Sequence, residues 1–399
     1  MEFKDAKNID SKYHFEIYGR MPLLLKKGKG SRVWDSEGKE YVDALGGIAV
    51  NSLGHCHPNI VKAIKDQAEK LIHCTNIYYI EPQIKLEKLL LDNCDMERIL
   101  FVNSGTEAVE GAMKLARKWG CKNGKGGGII TMDGSFHGRS LACVTATGQK
   151  KYRVGFDPLP GGFKTVPFND LDAVEDAIDE TICAIMVEPV QGEGGIVPAE
   201  KNYLKGLRKL CDKYNILLIF DEIQCGMGRT GHLFAYQGYD VVPDIITIAK
   251  ALGGGFPIGA LLAKDKVASS FDSGDHGTTF GGNPLATAAA YASVKTLIDE
   301  KLPERSKEMG KYLMDKLKKE AEKNDHIVKV RGKGLMVGVV LDREGKDIVP
   351  AMMRHGVLSN CTAKNVIRFV PPLITPKADL DKSVDALMKS IDEVFTDEK

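Results

Sequence analysis

Short apolar or β-branched runs recur through the middle of the chain, at residues 99–103, 128–132, 142–147, 182–188, 216–221, 245–249 and 259–263. Between several of them the apolar positions fall three to four residues apart, as at 59–72, 107–119 and 201–214. Apolar strands separated by amphipathic helices predict an α/β fold: a mostly parallel, seven-stranded sheet with helices on both faces. The pattern differs at the two ends. Residues 1–48 read as an extended N-terminal segment, with short strands in SRVWDSEGKEYVD around a turn at 36–38. After a long helix beginning near Pro284, two charged helices, a Gly-punctuated strand at 334–341, a strand at 366–370 and a final helix predict a smaller α+β domain. The expected division is an N-terminal segment (1–48) packing with the small domain, a large domain (49–290) and a small C-terminal domain (291–399). Alternating charges over 301–325 suit a solvated helix face.

Composition narrows the partners. The 399 residues carry 55 Lys plus Arg against 54 Asp plus Glu, so no global field draws the chain to nucleic acid or to a membrane surface. The opening MEFKDAKNIDSKYHF lacks the apolar core of a secretory signal and is too acidic for a transit peptide. No apolar run approaches the roughly 20 residues that span a bilayer. Nine cysteines without a CxxC pair suit reduced thiols. These features predict a cytoplasmic protein. His55 and His57 flank Cys56 in GHCHP, but no further ligand cluster accompanies them, so no metal is expected. Trp34 and Trp119 are expected to pack rather than bind.

Four motifs carry chemistry. NSGTEA (103–108) follows an apolar strand and opens a helix, with Ser104 and Glu107 at capping-box spacing. Gly105 admits a bound group to the backbone, Thr106 adds a hydroxyl, and the helix start attracts an anion. GSFHGR (134–139) places an aromatic residue, a histidine and an arginine in one strand-to-helix loop, suited to ring stacking and carboxylate binding. LLIFDEIQ (217–224) ends a buried strand on Asp221, whose charge demands a cationic partner. The same pattern occurs in P-loop ATPases, but GxxxxGK[ST] is missing from the chain. Lys250 ends the next apolar strand and precedes Gly253–Gly254–Gly255, where desolvation lowers its pKa and makes the amine nucleophilic toward an aldehyde.

A phosphate site, a ring cover, an acid and a lysine are the set that pyridoxal 5′-phosphate requires. With these motifs, and with GIAVNSLGHCHP (47–58), EPVQGEGG (188–195), FDEIQCGMGRTG (220–231), AKALGGGFPIGA (249–260), HGTTFGGNP (276–284) and VIRFVPPL (366–373), the chain resembles the class-III, fold-type-I aminotransferases. Within them it is similar to the acetylornithine aminotransferase group. The resemblance implies that Gly105 and Thr106 bind the cofactor phosphate, Phe136 stacks on its ring, Asp221 pairs with the ring nitrogen and Gln224 bonds the ring's phenolic oxygen. It implies that Lys250 holds the aldehyde covalently and acts as general base. Thr279 would reach the cofactor of a neighbouring subunit, making a homodimer part of the site. Thr278 stands where relatives usually show Ser, and its extra methyl would tighten the substrate pocket.

The resemblance also implies that Arg139 reads the substrate's distal carboxylate and Arg368 the α-carboxylate of glutamate. Glu193 would shield Arg368 while an ω-amino donor occupies the site. The expected reaction moves the ω-amino group of N2-acetylornithine to 2-oxoglutarate, a step of arginine biosynthesis. Ile48, where ornithine δ-aminotransferases tend to place a tyrosine, favours that donor. Succinyldiaminopimelate, ornithine, 4-aminobutyrate and carrier-linked lysine are alternative donors, and a mutase or decarboxylase on the same fold is the alternative chemistry.

Overall fold

In the computed structural model, which describes residues 1–395, the central apolar runs do form one seven-stranded sheet. Its spatial order is Arg98–Val102, Gly259–Ala263, Ile245–Ile248, Leu217–Asp221, Ile182–Val187, Gly128–Met132 and Phe163–Val166. Only Gly259–Ala263 runs against its neighbours; the other pairings are parallel. The inner strands are buried along their whole length, which is why they read as continuous apolar runs rather than alternating ones. Helices Gly105–Lys122 and Lys201–Tyr214 pack their apolar faces on this sheet.

One expected strand is a helix. Residues 142–147 lie in the helix Leu141–Ala146 and its cap, and the seventh strand is Phe163–Val166. That edge strand is half-exposed, so Lys164 interrupts its apolar pattern and hides it from a search for buried runs. A helix, Phe3–Tyr13, stands within the segment expected to be extended; its apolar positions Phe3, Ala6, Ile9 and Tyr13 fall three to four residues apart, but none is buried. One charged helix, Leu302–Ala321, occupies the place of the expected two. It is followed by Ile327–Lys333, an unexpected strand whose residues are mostly exposed or half-buried.

The C-terminal part forms a four-stranded antiparallel sheet in the order Ile327–Lys333, Met336–Leu341, Val366–Phe369, Asn360–Thr362. A third sheet joins the N-terminal strands Leu25–Lys29, Arg32–Asp35 and Glu40–Asp43 to Val357–Leu358. His55 bonds Asp43 at 2.7 Å, and His57 accepts the Asn59 N–H at the start of the helix Pro58–Ala68. Trp119 is buried in the core beside the large sheet, and Trp34 is half-buried under the Lys27 ammonium. Among the described residues no group of three or more His, Cys, Asp or Glu side chains could hold a metal, and no helix is long and apolar enough to cross a membrane.

Arg229 ties these parts together. Its fully buried guanidinium donates to the carbonyls of Leu335 (2.9 Å) and Pro371 (2.5 Å) and to Ser52 Oγ (3.2 Å). Burial alone lowers its pKa to about 9. Arg229→Ala would strand these acceptors and leave a cavity. A loss of about 3 kcal/mol is expected, read as a lower urea midpoint at unchanged m-value.

Candidate active site

The strand ends and helix starts at one edge of the large sheet enclose a cavity of about 370 Å³. Its lining includes Gly105, Thr106, Phe136, Asp221, Gln224 and Lys250, brought together from four separate stretches of chain. The helix Gly105–Lys122 starts at this wall. Ser104 caps it by accepting the Glu107 N–H at 3.2 Å, while the Glu107 carboxylate turns back to the Asn103 N–H at 2.7 Å. The N–H groups of Gly105 and Thr106, in the first turn, have no carbonyl one turn back to bond. Thr106 Oγ1 accepts the Arg139 N–H at 3.2 Å, which leaves its own hydrogen for a ligand. This end of the cavity is built for an anion.

Asp221 forms another wall. One carboxylate oxygen accepts from His137 Nδ1 at 2.7 Å, and the other from the Ile223 N–H at 3.1 Å and the Thr247 hydroxyl at 3.3 Å. Burial is the largest influence on His137 and pulls its pKa down. The bond to Asp221 and the charges of Asp221 and Glu188 outweigh it and leave the pKa raised. Glu188 is itself buried and accepts the N–H groups of Phe136 (2.8 Å) and Gly192 (3.0 Å). Burial pushes its pKa up to about 7. Glu222, next to Asp221, points elsewhere and accepts the Ala235 and Tyr236 N–H groups.

Lys250 follows strand Ile245–Ile248 and sits at φ +43°, a left-handed conformation that costs free energy for a side-chain-bearing residue. Gly254 makes the tight turn behind it possible: its φ is +56°, and a Cβ there would lie 2.3 Å from Ile60. Enclosure of the Lys250 amine lowers its pKa to about 8. Beyond Lys250 lies a buried ion pair: Arg368 Nη1 meets Glu193 Oε1 at 2.5 Å. Gln224 joins both, accepting from Arg368 at 3.1 Å and donating to Glu193 at 3.4 Å. Burial, the largest influence, raises the Glu193 pKa, but the Arg368 charge and hydrogen bond bring it below the usual carboxylate range. Arg368 Nη2 is buried without a partner among the described residues.

Other expected site residues stand apart from this cavity. Arg139 is exposed, its guanidinium over the rings of Phe136 and Tyr152. Thr278 bonds inward, accepting from Asn103 Nδ2 at 3.0 Å and from the Gly281 N–H at 3.2 Å. Thr279 is exposed and does not line this chain's cavity. The motifs carried no expected role for His137, Glu188 or Tyr152. His137 stood within FHGR and Glu188 within EPVQGEGG, but only the fold brings them to Asp221 and Phe136.

Residues 16–391 match the aminotransferase class-III family. The chain is 54% identical to an acetylornithine aminotransferase of Methanocaldococcus jannaschii over 394 residues, 98% of each chain. It is 50% identical to that of Methanothermobacter thermautotrophicus, covering 97% of this chain and 98% of the other. In fold it is similar to the ornithine aminotransferase of Toxoplasma gondii, with a TM-score of 0.95 at 34% identity over 100% of this chain and 97% of that one.

His137→Asn removes the cation beside Asp221, and a loss of about 3 kcal/mol is expected at pH 6. The folded state binds the His137 proton more tightly than the unfolded chain. Its contribution is therefore full below about pH 6.5 and is lost as pH rises through the raised folded value. Urea midpoints of parent and variant should converge with rising pH. A gap that widens would contradict the assignment.

Proposed function

The chain belongs to the class-III aminotransferases, and we propose that it moves the ω-amino group of N2-acetyl-L-ornithine to 2-oxoglutarate in a cytoplasmic homodimer. It is a pyridoxal-phosphate-dependent aminotransferase. The observation that carries the proposal is the single cavity on which an anion-binding helix start, Phe136, Asp221 and Lys250 converge, with the Glu193–Arg368 pair beside it.

The cavity fits pyridoxal 5′-phosphate. Its volume lies within the usual range for small-ligand pockets, about 300–1,000 Å³. Gly138 keeps the phosphate end open, since a Cβ there would lie 2.5 Å from Thr106 Oγ1. Gly105 and Thr106 would hold the phosphate, Phe136 a ring face, Asp221 the ring nitrogen, Gln224 the phenolic oxygen and Lys250 the aldehyde. When bound, the cofactor supplies a carbonyl carbon that takes up the amino group and a cationic ring that accepts the electron pair left by proton removal.

The chain's own residues do the rest. Lys250, its pKa brought to about 8, is neutral in a useful fraction near that pH and takes the proton from the donor's amine-bearing carbon. Asp221 is held in register by His137, and its enclosure keeps water from competing for the ring nitrogen. Arg139 takes the distal carboxylate of the donor. Glu193 covers Arg368 while an ω-amino donor is present and moves aside when the α-carboxylate of glutamate needs that guanidinium, whose Nη2 is unpartnered.

The dimer reading draws on the surface. Thr279 lies beside exposed Phe280, and Ile77, Tyr78 and Tyr79 are exposed too, Tyr79 almost completely (97%). A second copy would cover these side chains and bring Thr279 to its partner's phosphate site.

The test is a panel of N2-acetylornithine, ornithine, succinyldiaminopimelate and 4-aminobutyrate with 2-oxoglutarate, with Lys250→Ala as the blank. The highest kcat/KM is expected for acetylornithine, and the blank should lose both turnover and the visible absorbance of the holoenzyme. A higher value for another amine replaces the donor, and full turnover by Lys250→Ala overturns the site. Glu193→Ala should lower the preference for ω- over α-amino groups by about tenfold, the worth of one charge-assisted hydrogen bond. An unchanged ratio of the two efficiencies would remove the shielding role.

A further inference from the structure

The loop carrying Phe136 and Arg139 is fastened to the segment that follows the helix Leu141–Ala146. The Gly134 N–H donates to the Gly148 carbonyl at 3.1 Å, and the Gly148 N–H to Ser135 Oγ at 3.0 Å. Gln149 Nε2 donates to the carbonyls of Gly134 (3.1 Å) and Ser135 (3.3 Å). Arg153 closes the same segment on itself through the Thr147 carbonyl at 2.6 Å. The short turn Lys150–Tyr152 therefore has a fixed place, and it sets the Tyr152 ring edge-on to Phe136, with centroids 5.5 Å apart at 75°.

Arg139 lies in the angle between these rings. Its guanidinium carbon is 4.3 Å from the Tyr152 centroid and 5.3 Å from that of Phe136. Lys151 also lies over the Tyr152 ring, at 4.8 Å. Arg139 pairs with no carboxylate among the described residues, in contrast to Arg368, whose N–H edge is taken by Glu193. The difference has a chemical consequence. A ring holds a guanidinium by its face and leaves the N–H edges free, whereas a carboxylate consumes those edges.

We propose that Tyr152 is a positioning residue that holds Arg139 ready for a carboxylate-bearing substrate, and so sets the preference for anionic over neutral amine donors. The inference rests on the reading of Arg139 as the distal-carboxylate site. A long exposed side chain that is already ordered loses less entropy when its ligand arrives. Phe136 alone would leave Arg139 one ring face; Tyr152 supplies the second and nearer one.

The test compares N2-acetylornithine with N-acetylputrescine, the same amine without its carboxylate, in the holoenzyme with 2-oxoglutarate. Tyr152→Leu should raise KM for acetylornithine relative to that for acetylputrescine by about fivefold, with kcat for acetylornithine moving less. Tyr152→Phe, which keeps the ring and removes the hydroxyl, should restore the parent ratio. Arg139→Ala serves as the control for the underlying reading. If Arg139→Ala shifts the ratio and Tyr152→Leu does not, the inference fails and the reading stands. If Arg139→Ala leaves the ratio unchanged, the reading itself fails. An equal loss toward both donors in Tyr152→Leu would mark a merely structural role and overturn the proposal.

Discussion

A carboxylate buried at the end of an apolar strand is the constraint on which the site depends. Asp221 follows four buried residues and is itself buried, facing only the cavity. A charge so placed is tolerated only with a cation and hydrogen bonds to hold it. His137 supplies the cation, Thr247 and the Ile223 N–H supply further bonds, and the loop that delivers His137 also delivers Phe136 and Arg139. Glu188, on the adjacent strand's end, then fixes that loop by its Phe136 N–H and reaches the Gly192 N–H, next to Glu193. The pairing of one acid thereby orders both the Phe136 loop and the stretch that leads to Glu193.

A second pair of buried cations joins the parts of the chain. Arg229 binds carbonyls and a hydroxyl without any acid, spanning Ser52, Leu335 and Pro371. Arg368 binds Glu193, Gln224 and Asn360 from the neighbouring strand Val366–Phe369. The two side chains differ in what they can do next. Every acceptor of Arg229 belongs to a packed turn, strand or loop, so its role is structural. Glu193 is only partly buried, so the partner of Arg368 has somewhere to go.

The arginine proposed to read the distal carboxylate is held by a different physical means. Arg139 is exposed and rests on rings rather than on an anion. Its attraction to Tyr152 and Phe136 is weaker than a buried ion pair, and a carboxylate ligand need not displace it. One arginine is thus covered by a carboxylate, while the other rests on rings.

Six of the seven strands of the central sheet and the capped helix start at 105 were legible in the chain alone, because each strand is a run of apolar, largely buried residues and the helix start is a cap with strong local preferences. Residues 217–221 and 245–248 are legible for that reason, and so is the capped helix at 105. Where a strand is half-exposed, as at Phe163–Val166 and Ile327–Lys333, polar residues interrupt the apolar run and the pattern fails. The short run at 142–147 misled because a buried helix turn and a buried strand share the same composition. Which groups meet is settled by the assembled fold: His137 with Asp221, Glu188 with the Phe136 backbone, Gln224 with Arg368, Tyr152 with Arg139. These contacts join residues up to 144 positions apart. Their partners are chosen by how strands and loops converge at one sheet edge, and no local spacing in the chain encodes that.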